Sequence, residues 1–237
     1  MNELADPRLA ATPRSVIMRR KMELTNGDMH EAFATFWARD DLAEVFPAFL
    51  VLLHQIMRAS VPLMRTAAVV ARERADGDLL CRALAEYYEK HCDEEKDHDL
   101  WTLNDLEASG FDRAAVLDTL PPANVAKMVG PQYYWLHHFH PVMLLGYIAV
   151  LEGSPPSSEH IDEIAQRTGL PEEAFRTYRF HGEVDPHHLA DLDRTIDTLP
   201  LGRREMGLIG VSAAFTAAEL AKCVAAISPS DAPKRQQ

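Results

Sequence analysis

Two short stretches place histidines and acids at the same spacing, ninety positions apart. HCDEEKDH carries His91, Glu95 and His98, and HGEVDPHH carries His181, Asp185 and His188. On an α-helix, positions i, i+4 and i+7 fall within about 60° of arc, so each triplet is predicted to share one helix face. Imidazole nitrogen combined with carboxylate oxygen suits iron or manganese, with zinc as a further option, and does not suit calcium or magnesium. The repeated triplet therefore predicts a metal site.

The acids of both triplets interrupt predicted apolar stripes. The first stripe continues through Leu84, Tyr87, Thr102 and Leu106, and the second through Leu189, Leu192 and Ile196. Burying an unpaired carboxylate costs several kcal/mol, so an inward acid is normally paired or bound to a cation. No lysine or arginine shares either arc, which favours a metal as the partner. The other acids of the first stretch, Asp93, Glu94, Asp97 and Asp99, are predicted to face solvent.

Each triplet ends in an acid-x-x-His pair, which is Glu95 with His98 and Asp185 with His188. Carboxylate-bridged di-iron bundles take pairs of this kind from two helices. The pattern therefore indicates a site for two metal ions. Glu152, at the end of the apolar run PVMLLGYIAVLE, is a further candidate ligand, with a solvent-facing position at the helix end as the alternative.

Long segments rich in Ala, Leu, Glu, Arg and Met separate the glycines and prolines, and their apolar spacing is helical. We predict helices at 28–38, 41–75, 77–108, 112–119, 124–129, 132–152, 157–168, 171–198 and 203–227, and we expect a kink at Pro62. No alternating run predicts a strand. The chain is thus predicted to be a single all-α domain over residues 16–227, with flexible segments at 1–15 and 228–237.

Composition excludes several classes of protein. A formal net charge of -12 argues against a nucleic-acid partner, which would require a basic surface. The sequence contains no apolar run of the roughly 20 residues that a membrane helix requires. Residues 1–20 contain no apolar segment typical of a secretion signal. Three cysteines without a CxxC pair predict neither a disulfide framework nor a thiolate zinc site. We expect a cytoplasmic protein.

Three runs, HCDEEKDHDLWTLNDLEASG, HPVMLLGYIAVLEG and HGEVDPHH, together resemble the haem-oxygenase-like di-iron oxidases, also called iron-containing redox enzymes. These are related to the thiaminase-type and PQQ-synthesis folds, and the likeness covers about residues 40–200. It implies a haem-oxygenase-like helical bundle without haem. The bundle would bind two Fe(II) ions, react with O2 and oxidise a small amino-acid, amine or carboxylate substrate. The implied ligands are Glu95, His98, Glu152, His181, Asp185 and His188.

One position departs from the pattern of this family, which usually supplies a further glutamate. This chain has His91 at one of the two expected places, and no acid between Glu44 and Glu73 at the other. His91 is thus a candidate ligand, or a hydrogen-bond partner of Glu95. In the same segment, His54 and Arg58 are candidate substrate-binding residues. Arg58 follows His54 by one turn and is a candidate clamp for a substrate carboxylate, with an ordinary surface arginine as the alternative.

The substrate is expected between the metal ligands and the helix at 132–152, and a homodimer is expected. Three other functions stay open. A plain interaction bundle would not bury two acids and up to four histidines on core faces. A metal-free enzyme of the thiaminase or PQQ-synthesis type would need a nucleophilic cysteine or a basic pocket. A ferritin-like carboxylate-bridged metal protein would need a glutamate on the first helix and would have no use for His181.

Overall fold

A computed structural model describes residues 12–233 and residue 235. The α-helices are α1 (Arg14–Thr25), α2 (Gly27–Trp37), α3 (Leu42–Arg74), α4 (Leu79–Glu94), α5 (His98–Ala108), α6 (Arg113–Asp118), α7 (Ala123–His138), α8 (Leu144–Leu151), α9 (Ser158–Thr168), α10 (Arg176–Thr198) and α11 (Arg203–Ala225). Short 3-10 turns cover Pro141–Met143, Glu172–Phe175 and Pro229–Asp231. The only β-pairing in the described residues is an isolated bridge between Phe111 and Arg235. The predicted all-α class is confirmed.

Most predicted helices are present with nearly the predicted bounds, including the long α3, which contains both Pro47 and Pro62. Helix α1 was not predicted. It begins at Arg14, inside the segment 1–15 that was predicted to be flexible, and residues 1–11 of that segment lie outside the described residues. In the tail, residues 229–231 form a 3-10 turn, while residues 234, 236 and 237 also lie outside the described part.

The predicted helix at 77–108 is interrupted, so the prediction that His91, Glu95 and His98 share one continuous face is wrong. Helix α4 ends at Glu94, and α5 begins at His98. Between them Asp97 has a φ of 66°, a left-handed conformation that aspartate tolerates better than most residues. No glycine or proline marks this turn, which is why periodicity alone misses it.

The predicted helices at 124–129 and 132–152 are also wrong in their boundaries. Helix α7 runs through Pro131 to His138, and the chain then breaks before α8. The guanidinium group of Arg74 donates hydrogen bonds to the carbonyl oxygens of Leu136, His137 and Phe139, at 3.2, 3.2 and 2.8 Å. A long-range contact therefore satisfies the carbonyl groups at the end of α7, which need partners once the helix stops.

Helices α3 and α11 contribute much of the core, and both are long and apolar enough to cross a membrane by length and composition. In their most apolar 18-residue windows, however, 67% of α3 and 56% of α11 is buried inside the protein. The core helix of a soluble protein passes the same test, so this finding is weak evidence for a membrane span. The sequence pattern predicted no apolar run of about 20 residues, and these two windows of 18 residues come close to that length.

Close packing between α8 and α11 depends on Gly146. A Cβ atom added there would lie 2.2 Å from the carbonyl oxygen of Ile209 and 2.7 Å from the amide nitrogen of Ala213. Both atoms belong to the backbone of α11, so the two helices meet almost backbone to backbone. This contact determines the position of α8, whose C-terminal cap is the candidate ligand Glu152.

Candidate metal centre

The candidate ligands come from four places in the fold. His91 lies on α4, Glu95 caps that helix, His98 begins α5, Glu152 caps α8, and His181, Asp185 and His188 lie on α10. Apart from the partly buried His181, their side chains are only 3 to 13% exposed. All seven predicted residues therefore meet in one buried cluster.

The first part of the cluster contains Glu95, His98 and His181. Their potential ligand atoms lie within 4.8 Å of one another. Nδ1 of His98 lies 3.0 Å from Oε2 of Glu95. Two ligands bound at right angles to an ion at about 2.1 Å would be separated by about 3 Å, so this spacing suits a shared metal.

The orientation of His181 also suits a ligand. Its Nδ1 donates a hydrogen bond to the carbonyl oxygen of Thr177 at 2.8 Å, which leaves Nε2 with its lone pair. The amide group of Thr177 in turn donates to Oδ2 of the buried Asp105 at 2.9 Å. Metal-binding histidines are commonly oriented in this way through the second nitrogen. Thr177 lies one helical turn before His181 but acts through its backbone carbonyl, which residue type does not reveal. Asp105 lies 72 positions before Thr177, so helical spacing carries no signal for that contact.

The second part of the cluster again uses Glu95, now with His91 and Glu152, and these three can also converge on one ion. Nε2 of His91 lies 2.6 Å from Oε1 of Glu152, so His91 contacts Glu152 rather than Glu95. Nδ1 of His188 lies 3.3 Å from Oε1 of Glu95 and 3.8 Å from Oδ1 of Asp185. Glu95 thus lies between two groups of ligand atoms, as a bridging carboxylate would.

Several polar atoms of this cluster are buried without a hydrogen-bond partner among the described residues. They are Oε1 of Glu95, Oε2 of Glu152, Oδ1 of Asp185 and Nδ1 of His188. An unsatisfied buried polar atom ordinarily costs about 1 to 3 kcal/mol. Four such atoms in one cluster, all of them lone-pair donors when deprotonated, fit a bound cation, and the mixture of nitrogen and oxygen suits iron.

The protonation states of Glu95 and His181 favour metal binding. Burial alone would raise the pKa of Glu95, but the hydrogen bond from His98 and the nearby histidines lower it overall. Burial lowers the pKa of His181, and its hydrogen bond to the Thr177 carbonyl only partly opposes this. Glu95 is therefore ionised and His181 neutral near pH 7, which are the forms that bind metal.

The pKa values of Asp185 and His91 are raised, whereas those of Glu95 and His181 are lowered. Burial, reinforced by the charges of Glu152 and Glu95, raises the pKa of Asp185 to about 8. Burial alone would lower the pKa of His91, but the contact with Glu152 raises it to about 9. Without a cation, the cluster therefore retains protons in order to reduce repulsion among its carboxylates.

The metal-free protein is expected to lose stability as the pH rises from about 6 to about 8. Over this range Asp185 keeps its proton in the folded state but has lost it in the unfolded chain, where its pKa is 3.8. Because the folded state binds more protons, its stability falls with pH, and the raised pKa of His91 acts in the same direction. The free energy of unfolding should fall by at least about 1.4 kcal/mol, which corresponds to one pKa unit.

Urea unfolding of metal-free protein at several pH values measures this effect. The variant Asp185→Asn cannot ionise at this position and should show a shallower dependence on pH. Equal slopes for the two proteins would contradict the assignment to Asp185.

Arg58 and His54 lie apart from this cluster. Arg58 is exposed on α3, and neither residue is among those that line the cavity beside the ligands. His54 is buried, and its Nδ1 lies 3.0 Å from the carbonyl oxygen of Asp99. This contact links α3 to α5. The placement of Arg58 matches the surface arginine that was the alternative to a substrate clamp.

Aromatic rings pack around the candidate ligands. Tyr87 stacks on His91 with ring centres 5.5 Å apart, and Trp101 packs on His98 at 4.2 Å. Phe180 meets Trp101 edge to face at 4.8 Å. These rings restrict the rotation of the imidazoles. Tyr87 and Trp101 lie one helical turn from the histidines that they contact, a spacing that was visible in the sequence.

A separate cluster contains Asp78, Cys81 and His140. Its geometry is explained by capping. Asp78 accepts the amide hydrogens at the start of α4, and Nδ1 of His140 accepts the amide hydrogen of Val142 at 3.1 Å. Nε2 of neutral His140 therefore carries the proton and lies 3.2 Å from the Asp78 carboxylate. Burial raises the pKa of Cys81 to about 12, so this thiol is not an activated nucleophile.

A cavity of 160 Å³ lies beside the candidate metal centre, between α3, α8 and α10. Glu95, Glu152, His181 and Asp185 form part of its wall. Most of the remaining wall is apolar, with Tyr147, Ile148 and Leu151 contributed by α8. The helix that was expected to face the substrate thus lines a space next to the candidate ligands.

Comparison with known proteins identifies the family and the fold of this chain. Residues 49–221 match the model of a family described as iron-containing redox enzymes. A domain of unknown function with a haem-oxygenase-like fold from Shewanella denitrificans OS217 is similar in structure, with a TM-score of 0.67, 15% identity, and coverage of 94% of this chain and 91% of that chain. A TenA homologue from Pseudomonas syringae pv. tomato DC3000 has a TM-score of 0.66 and 8% identity, over 94% of this chain and 97% of that chain.

At these identities, the two structures establish the fold alone. The comparison with curated proteins gives no match. The family match covers well over half of the chain, including every candidate ligand, and the predicted haem-oxygenase-like fold is confirmed. The chain therefore belongs to the iron-containing redox enzyme family.

Proposed function

We propose that this protein is a non-haem di-iron enzyme that uses O2 to oxidise a small amino-acid, amine or carboxylate substrate. The observation that carries the proposal is the position of Glu95, whose carboxylate belongs to both groups of potential ligand atoms. A carboxylate shared in this way is typical of proteins that hold two metal ions close together. The unsatisfied oxygen atoms of Glu152 and Asp185 support it independently.

The ligands divide between two ions. Glu95, His98 and His181 would hold the first ion, and Glu95 with Glu152, Asp185 and His188 would hold the second. His91 is assigned a positioning role, because its Nε2 contacts Oε1 of Glu152 and leaves the unsatisfied Oε2 for metal binding. Two ferrous ions bound there would supply the electrons and open coordination positions that O2 activation requires.

The protein's own groups would bind the substrate and exclude water. The cavity wall between α3, α8 and α10 is mostly apolar, so a substrate held there displaces water from the space beside the ligands. The aromatic rings of Tyr87 and Trp101 hold His91 and His98 in place. The proposed site would thus orient its imidazoles and exclude water once substrate is bound, with its polar atoms concentrated where the ions would bind.

Anaerobic loading with ferrous iron tests this proposal. We expect about two iron ions per chain and an absorbance transient when O2 is added. His188→Ala should abolish the transient and lower the iron content, because it removes a ligand of the second ion. The matched control is His187→Ala, since His187 is the adjacent residue of α10 and is exposed. Less than about one iron per chain, without a transient, would refute the di-iron function.

The cysteines do not favour the alternative of a metal-free thiaminase-type enzyme. Burial raises the pKa of Cys92 and of Cys223 to about 11, and that of Cys81 to about 12. A nucleophilic cysteine requires a lowered thiol pKa, because the thiolate is the reactive form. The ferritin-like alternative would leave His181 without a role, although this residue is oriented toward the cluster.

A further inference from the structure

The wall of the cavity beside the proposed metal centre has no charged side chain left to pair with a polar substrate. Its ionisable residues other than tyrosine are Glu95, Glu152, His181 and Asp185, and all four are proposed iron ligands. Among the described residues, no lysine or arginine lines the cavity. A zwitterionic amino acid bound there would therefore leave its ammonium group without a free carboxylate partner, at the cost of burying an unpaired charge.

Of the five hydroxyl groups in the wall, two are already paired, and Oγ1 of Thr177 is buried without a hydrogen-bond partner among the described residues. Ser60 donates to the carbonyl oxygen of Ile56 at 2.9 Å, and the hydroxyl of Tyr147 lies 3.0 Å from that of Ser60. Since the Ser60 hydrogen is used, Tyr147 is the donor of the second bond. The hydroxyl of Tyr178 makes no hydrogen bond to any described residue and lines the same cavity. It is a donor that remains for a bound ligand.

The rest of the wall consists mainly of hydrocarbon side chains. They include Phe33, Phe49, Leu53, Ile56, Leu151 and Leu220. The volume of 160 Å³ is close to the roughly 150 Å³ of a buried apolar cavity that binds benzene. The space therefore accommodates an apolar group of about six carbon atoms.

We propose that this cavity binds a compact apolar monocarboxylate, with its carboxylate toward the metal centre and the Tyr178 hydroxyl and its hydrocarbon body among the apolar side chains. The inference rests on the proposed di-iron function for its head group. Two ferrous ions carry one positive charge more than Glu95, Glu152 and Asp185 neutralise, so the loaded site attracts an anion. An alkylammonium ion would be repelled, because the three carboxylates are already engaged.

Calorimetric titration of anaerobic, iron-loaded protein compares three ligands with the same carbon skeleton. Hexanoate is expected to bind at least tenfold more tightly than hexylamine and than norleucine. Leu53→Phe, which fills part of the cavity, should weaken hexanoate binding at least tenfold. Leu208→Phe is the matched control, because Leu208 is also a partly buried leucine that packs on the core but does not line the cavity.

Leu53→Ala provides a second variant in case the larger side chain prevents folding. It enlarges the cavity and should shift the preference toward octanoate relative to hexanoate. If norleucine or hexylamine binds as tightly as hexanoate to the iron-loaded protein, the inference is overturned while the di-iron function stands.

The apolar part of the cavity is tested separately with benzene and the metal-free protein. The effect of benzene on thermal unfolding measures binding. Stabilisation that is lost in Leu53→Phe and kept in Leu208→Phe would support an apolar binding space without any metal. If benzene does not stabilise the unaltered protein, the inference that the cavity binds an apolar group is overturned. Failure of the protein to bind iron would instead overturn the carboxylate head group together with the proposed function.

Discussion

Replacing Glu95 with glutamine is expected to lower the iron content from about two ions per chain to fewer than one. Glu95 is the residue that both groups of ligand atoms share, so one substitution weakens both proposed ion sites. An amide keeps the size of the side chain but removes the negative charge that offsets the cations. Metal analysis after anaerobic loading and gel filtration measures the change.

Two variants make this prediction specific to a bridging carboxylate. Glu183→Gln changes an exposed glutamate on α10 and should leave the iron content unchanged. Glu152→Gln removes a ligand of the second ion only and should retain about one ion per chain. If Glu95→Gln and Glu152→Gln lose the same amount of iron, Glu95 does not bridge the two ions.

Replacing Gly146 with alanine is expected to destabilise the protein by roughly 3 kcal/mol or more, the upper range for overpacking a core. The new methyl group would approach the Ile209 carbonyl oxygen to 2.2 Å, and neither helix backbone can move aside without disturbing its packing. Urea unfolding measures the free energy. Because α8 carries Glu152 at its end, the variant should also bind iron more weakly at the second ion site.

Gly207→Ala is the matched control on α11. A Cβ atom at that position meets nothing within 4 Å. Alanine is more favourable than glycine inside a helix by about 0.5 to 1 kcal/mol, so this variant should be as stable as the unaltered protein or slightly more stable. Similar losses for the two variants would show that the close approach of α8 and α11 does not explain the effect at Gly146.

The pattern of the sequence predicted most residues of the candidate site because the candidate ligands form local pairs. Glu95 with His98, and Asp185 with His188, are each three positions apart, and such pairs survive moderate errors in the local conformation. The break at residues 95–97 shows this, since the chain leaves the helix there and Glu95 still reaches His98 at 3.0 Å. The apolar spacing of α3, α9 and α11 likewise predicted helices close to those observed.

Contacts between distant residues could not be predicted in the same way. The sequence suggested Glu95 as the partner of His91, whereas in the fold His91 contacts Glu152, which is 61 positions away. The end of α7 depends similarly on Arg74, which lies on α3. Neither contact leaves a periodic signal, because each depends on how two helices pack.

Local spacing and residue type were enough to predict the helical class, the family and the candidate metal ligands. The packing of the helices added that Glu95 lies between two ligand groups, that Arg58 lies apart from the cavity, and that most of the cavity wall is apolar. These features could not be predicted because burial and convergence depend on the offsets between helices. Close contacts such as that of Gly146 with α11 set those offsets, and helical periodicity does not specify them.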